Sequence, residues 1–285
     1  MQMEQILPAV LQRKVPAGAE EIRLRSGCRP LAMVDGRAVW LDEGRLTPAQ
    51  IKEVVDRACR YSIHSYQDQL AQGYLTIQGG HRMGVCGQAV MQQGRVQMMR
   101  NFSSVNLRVA RQIVGAAAPV YPLCFDGAAP LSVLLFSPPG YGKTTLLRDL
   151  IRRFSLAGWR VGVADERAEI CAMVQGQSQF DLGEQVDVIT GCPKALGAMM
   201  LLKTMSPQIL AVDEITSPED VQALSAVVNC GVRVLATIHA WSWEELRRKP
   251  LFTLLERERF FDRVIGIQRR GSQRTYVSQR WGEPA

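Results

Sequence analysis

The sequence predicts an α/β protein, a parallel sheet covered by helices on both faces, with a smaller α+β module ahead of it. Three observations carry this. Beyond residue 130, apolar runs such as "LSVLLFS" (131–137), "RVGVADE" (160–166), "QILAVDE" (208–214) and "VRVLATIH" (232–239) alternate with segments of helical spacing. Continuous apolar strands of this kind belong in a sheet buried on both sides. A glycine-rich loop joins the first of these strands to its helix, "KTTLLRDLIRRFSLAG" (143–158). Before residue 117 the pattern differs, with short strands punctuated by glycine turns.

In that first stretch "EEIRLRSG" (20–27), "LAMVDGRAVWL" (31–41) and "GYLTIQGGHRMGVCGQAV" (73–90) read as strands. "TPAQIKEVVDRACRYS" (47–62) reads as a helix, with Thr47 as N-cap and Pro48 at the first helical position. "GAAAPVYPLCFDGAAP" (115–130) breaks both periods. A linker is therefore expected at 118–130, between a module of residues 1–117 and a domain of residues 131–285. A helix around 218–230 completes the alternating units of the latter.

Apolar residues make up 47% and charged residues 21% of the 285, an ordinary globular composition. No apolar run approaches the roughly 20 residues that cross a bilayer, and the opening "MQMEQILPAVLQRK" lacks the pattern of a signal peptide. A cytoplasmic protein is expected. The seven cysteines are scattered without zinc or disulfide spacing, which suits buried thiols in a reducing compartment. The net charge of +7 fits nucleic acid, an anionic membrane surface or phosphate-contacting arginines equally well, so it decides nothing.

The glycine-rich loop is more specific. Against the phosphate-binding pattern G-x-x-x-x-G-K-[ST], residues 137–144 supply Ser137, Pro138, Pro139, Gly140, Tyr141, Gly142, Lys143 and Thr144, with Thr145 following. Gly140 and Gly142 let backbone N–H groups turn inward onto phosphate oxygens, and the next helix offers its positive end. Lys143 reaches the β- and γ-phosphates of a nucleotide, and the Thr144 hydroxyl can ligate Mg²⁺. Only the first glycine is missing. Ser137 can replace it if its φ need not be positive. The loop is expected to be solvated, so that loss of Lys143 costs a charge and no core contact.

"QILAVDE" ends in Asp213 and Glu214, the layout of a Walker B element, in which Asp213 holds Mg²⁺ and Glu214 lies near the γ-phosphate. Strand alternation would point Glu214 away from Asp213, unless the strand has already ended. "VADERAEI" (163–170) brings Asp165, Glu166 and Arg167 to the carboxyl edge of a neighbouring strand, where ligands bind in open α/β sheets. Arg167 could steady the Glu166 carboxylate. His239 ends a further strand at the same edge, either as a γ-phosphate sensor or as a packing residue.

P-loop, acidic cluster, Walker B and strand-end histidine occur in the order seen in secretion-type ATPases of type II and type IV systems, a RecA-like group that this half resembles. "DERAEI", "DVITGCPKALGAMMLLKTMSPQILAVDEI" and "GVRVLATIHA", with "GGHRMGVCGQAV" and "SVNLRVAR" upstream, resemble the stage III sporulation protein AA family over residues 20 to 270. That family normally has glycine where Ser137 stands. The resemblance implies a RecA-like P-loop core that hydrolyses ATP with Mg²⁺. It also implies a homo-oligomer, a hexameric ring, at a membrane complex between mother cell and forespore, on the cytoplasmic mother-cell side. The N-terminal domain would cover the nucleotide and bring arginines to its phosphates. Arg82, Arg108 and Arg111 match that role, and a surface ion pair is the alternative for each. For the attacking water the resemblance favours Glu214 over Glu166, with Glu166 assisting.

Two other functions compete. A nucleic-acid motor would carry stacking aromatics on channel loops, yet residues 171–198 offer only Phe180. No nucleic-acid partner is expected on that ground. A nucleotide-gated assembly module without turnover is the other.

Overall fold

Short strands with one apolar face need helices to cover them, and the first part of the chain is built that way. The computed structural model describes residues 3–270 and 273–283. The chain divides into two compact units: one takes the chain up to Arg111 together with Ala172–Phe180, the other Gln112–Cys171 and the chain from Asp181 onward.

The first unit contains an antiparallel sheet of six strands: β1 (Glu21–Arg25), β2 (Leu31–Val34), β3 (Arg37–Trp40), β4 (Tyr74–Ile77), β5 (His81–Gln92) and β6 (Arg95–Arg108). They lie in the order β3-β2-β1-β6-β5-β4. Helices α1 (Pro48–Ala58) and α2 (Gln67–Ala71) pack on β6. Ile51, Val54 and Val55 of α1 join Ile22, Leu24, Leu75, Met83 and Leu107 of the sheet in one core. The start of α1 is a capping box. The Thr47 hydroxyl accepts from the Gln50 N–H at 3.2 Å, and the Gln50 side chain accepts from the Thr47 N–H at 2.8 Å.

Ala172–Phe180 completes this unit. Gln179 accepts a hydrogen bond from the Gly79 N–H at 2.9 Å, and the Phe180 ring lies so close over Gly80 that a Cβ there would meet it at 2.8 Å. Phe180 is buried. The one aromatic that residues 171–198 could have offered to a nucleic acid is thus a packing residue.

The second unit opens with a small hairpin, β7 (Phe125–Asp126) and β8 (Ala129–Pro130), before the main sheet begins. Then follow β9 (Val133–Ser137), α3 (Lys143–Leu156), β10 (Val161–Asp165), β11 (Val186–Thr190), α4 (Lys194–Met205), β12 (Ile209–Val212), α5 (Pro218–Asn229), β13 (Arg233–His239), α6 (Trp243–Arg248), α7 (Pro250–Glu258), β14 (Arg263–Arg270) and β15 (Gln273–Arg280). The sheet order is β11-β10-β12-β13-β9-β14-β15. It is parallel throughout except for β15, which returns antiparallel along β14 as an edge strand. That edge departs from the wholly parallel sheet expected of the apolar runs.

Leu134, Ala164, Leu210, Val212, Val234 and Ala236 face the buried side chains of α4, α5, α6 and α7. Leu147, Leu150, Ile151 and Phe154 of α3 are buried outside that cluster, and α3 lies against β9, β10 and β13 from the other face. Both faces are covered, so β10 and β12 are buried along their whole length. The carboxyl ends of β9, β10, β12 and β13 meet at one edge.

In the first unit β5 and β6 slip register between Cys86 and Gln88. Gly87 sits in that bulge, where a Cβ would lie 2.8 Å from the Arg100 carbonyl oxygen and 3.1 Å from the Phe102 Cα. Backbone cannot yield as a side chain does. Gly87→Ala is expected to lower stability by about 1–3 kcal/mol in urea unfolding, and an unchanged midpoint would show that the bulge has room for a methyl group.

Candidate active site

The loop between β9 and α3 turns on two glycines in the left-handed region, Gly140 at φ 78° and Gly142 at φ 93°. Ser137 stays outside that region, pairs with His239 across the sheet and is fully buried. Serine therefore makes the turn off the strand without strain. No side-chain hydrogen bond caps the N-terminus of α3, and the first N–H groups of a helix are in general suited to an anion.

Lys143 differs from expectation. It is buried, not solvated. Its ammonium donates to the carbonyl oxygens of Ser137 at 2.7 Å and Pro138 at 3.1 Å, and to His239 Nδ1 at 2.7 Å. Burial pushes its pKa down to about 8, against the pull of the Asp213 and Glu214 carboxylates. An ammonium can only donate, so Nδ1 of His239 accepts and Nε2 carries the proton. Nε2 lies 3.2 Å from Glu214 Oε1. Lysine, histidine and glutamate form one chain of contacts. Tyr141 packs edge-on to the exposed Trp241, with ring centroids 6.4 Å apart.

At the end of β12 the Asp213 carboxylate takes two hydroxyls, Thr144 at 2.9 Å and Thr237 at 2.6 Å. The Thr237 hydroxyl also accepts from the Glu214 N–H at 2.9 Å. Glu214 has φ 45°, a left-handed torsion uncommon for a residue with a side chain. The strand has already ended at Val212, so alternation does not turn Glu214 away. Strained residues of this kind gather at functional sites.

A hydroxyl beside a carboxylate suits a hard cation such as Mg²⁺, which keeps several waters and shares phosphate oxygens with its ligand. Among the described residues no cluster of three His, Cys, Asp or Glu side chains could hold a metal by itself. Thr144 and Asp213 fit a Mg²⁺ bound together with a nucleotide.

The acidic cluster after β10 divides its work. Asp165 is buried and accepts from the N–H groups of Glu169, Ile170 and Cys171. Burial raises its pKa despite those bonds. It shapes the loop. Arg148 of α3 holds the same loop from the other side, donating to the carbonyls of Ile170 at 2.6 Å and Glu169 at 2.7 Å. The cation on Glu166 is Lys194 of α4, at 3.0 Å, in place of the expected Arg167. Glu166 and Glu214 line one cavity of about 40 Å³ with Asp213 and Lys194, room for a few waters.

The three candidate arginines lie in the first unit. Arg82 on β5 and Arg108 on β6 stand directly opposite each other. Like charges in such positions repel. The Arg82 guanidinium stacks 4.4 Å over the Tyr74 ring. Arg108 lies 3.5 Å from Glu21, and Arg111 donates to the Ala19 carbonyl at 3.0 Å.

Thr237 and Lys194 escaped the sequence reading. Thr237 could have been found by alternation, since it shares a strand face with His239. Nothing local marks Lys194, which lies 28 residues beyond Glu166.

The family described as sporulation stage III, protein AA, matches residues 3–278. Stage III sporulation protein AA of Bacillus subtilis (strain 168) is 38% identical over 257 residues, covering 88% of this chain and 82% of that one. Among solved structures, the pilus retraction motor PilT with bound ADP superposes with a TM-score of 0.66 at 18% identity, over 95% of this chain and 82% of that one. The Legionella pneumophila ATPase DotB gives 0.59 at 17% identity, over 91% and 76%. At such identities the likeness is one of fold, a RecA-like P-loop architecture.

Two outcomes are expected. The folded lysine loses its proton near pH 8, whereas the unfolded one keeps it to about 10.4. Its folded pKa is lowered, so the cost of the buried charge is complete below pH 8 and is relieved as pH rises. Measured against Lys143→Met, the native protein should gain about 2 kcal/mol between pH 7 and pH 10 in denaturant unfolding; parallel curves would refute the buried ammonium. Thr237→Val keeps the volume but strands Asp213 and the Glu214 N–H. It should cost about 1–3 kcal/mol, with Thr237→Ser recovering most of the loss.

Proposed function

The chain belongs to the sporulation stage III protein AA family, and we propose that it acts there as a Mg²⁺-dependent ATPase of secretion type. One observation carries this reading. Lys143, the Thr144–Asp213 pair and the Glu214–His239 pair meet at one sheet edge, and Asp213 and Glu214 line a small cavity there with Glu166. In this reading the loop Ser137–Thr145 binds the triphosphate. Lys143 leaves the Ser137 and Pro138 carbonyls for the β- and γ-phosphates, and His239, released from Lys143, reports whether a γ-phosphate is present. Thr144 and Asp213 would hold Mg²⁺, and the ion would supply neutralising charge to the phosphates.

Phosphoryl transfer needs a water placed in line more than it needs a strong base. Glu214 takes that task, because its left-handed torsion and the bond from its N–H to Thr237 fix its carboxylate over the cavity. Glu166, held by Lys194, assists from the facing wall. Arg82, Arg108 and Arg111 supply positive charge to the phosphates from the first unit.

Assembly as a hexameric ring at the membrane complex between mother cell and forespore belongs to the same proposal, with the chain on the cytoplasmic mother-cell side. Among the described residues no helix is long and apolar enough to cross a membrane, so attachment would come from partner membrane proteins. The burial of Phe180 speaks against a motor that tracks single-stranded nucleic acid.

The test is ATP hydrolysis and ATP binding measured separately, with and without single-stranded DNA. Glu214→Gln should bind ATP normally and hydrolyse it at least a hundredfold more slowly. DNA should change neither value. If Glu214→Gln turns over near the native rate while Glu166→Gln is inactive, the roles of the two glutamates are exchanged. No hydrolysis by the native protein, beside normal binding, would leave an assembly module.

A further inference from the structure

The hairpin β14–β15 does more than close the sheet. The last residue of β14 paired with β9 is Gly266, opposite Phe136. From there β14 continues to Arg270, and β15 begins at Gln273. At about 3.3 Å per residue, some 13 Å of ribbon runs on past Phe136, alongside the phosphate-binding loop. Gly266 permits the close packing at its base, since a Cβ there would fall 2.6 Å from the Phe136 ring.

On the returning strand stands Arg274. Its Nη2 lies 2.7 Å, and its Cζ 2.9 Å, from where a Cβ on Gly142 would be. The guanidinium thus lies beside the last glycine of the loop, whose φ of 93° is what calls for glycine there. Arg269 stands directly opposite Arg274 in the ribbon, so both side chains project from the same face. Two guanidiniums side by side repel in an antiparallel pair.

Resting on the nucleotide reading of the loop, we propose that Arg274 is a phosphate-binding residue that contacts an α- or β-phosphate oxygen of the bound nucleotide. The assignment to α and β follows from position. Backbone N–H groups of this loop hold those two phosphates, whereas the lysine reaches on to the γ-phosphate. The fixed fork of a guanidinium can grip two oxygens at once, which an ammonium cannot. Arg274 is exposed, so its replacement removes a ligand contact and leaves the core untouched.

Equilibrium binding of fluorescently labelled ADP and ATP to the full chain tests this, with Arg274→Gln and Arg274→Lys beside the native protein. Arg274→Gln should bind both nucleotides at least tenfold more weakly, about 1.4 kcal/mol, and by the same factor. Arg274→Lys should fall between, and the unfolding temperature without nucleotide should not move. Unchanged affinity in Arg274→Gln overturns the inference. A loss for ATP alone overturns the α/β assignment and places the contact at the γ-phosphate. If Arg274→Gln binds normally while Lys143→Ala does not bind, the arginine role falls and the nucleotide reading stands. A native protein that binds neither nucleotide ends both.

Discussion

A lysine ammonium with almost no water around it is the constraint on which the second unit turns. A buried charge is tolerated only with close partners. Lys143 finds them in two loop carbonyls, a histidine nitrogen and the nearby carboxylates of Asp213 and Glu214. Those partners come from the ends of three strands, so β9, β12 and β13 must finish level at one edge. A nucleotide would exchange these internal partners for phosphate oxygens. The same network that stabilises the empty site therefore competes with ligand.

The Thr237 hydroxyl gives that edge its second fixed point. By accepting from the Glu214 N–H and donating to Asp213, it holds two adjacent carboxylates in separate tasks, one toward Thr144 and the other toward His239. The left-handed torsion at Glu214 costs of order 1 kcal/mol or more. Packing on both sides of β12 over-determines the turn and keeps it.

Much of this edge was legible in the sequence because a strand buried on both faces is a plain apolar run, and a charged residue at its end marks where the run meets solvent. Asp213 stood out for that reason, and His239 as a polar residue in the same place, whereas Ser137 was marked by the glycine it replaces in the loop pattern. Other elements hid. Strand β6 runs well past the core, so only Phe102, Val105 and Leu107 keep a buried face. Helix α4 is apolar almost all round, with Leu196 and Met200 exposed, and shows no stripe to read. The polar edge strand β15 has no inner face to advertise. Contacts such as Lys194 with Glu166, or Arg148 with the loop after β10, join residues that only the folded sheet brings together.

The passage of Ala172–Phe180 through the first unit also bears on how such proteins can be taken apart. Neither unit is a single stretch of chain; the boundary between them is crossed at residues 111/112, 171/172 and 180/181. A fragment cut once after Arg111 would carry Phe180 and its neighbours away from Gly79 and Gly80, leaving apolar surface bare. Units exchanged between relatives would need three matched junctions instead of one, so the two halves should change partners in evolution only together.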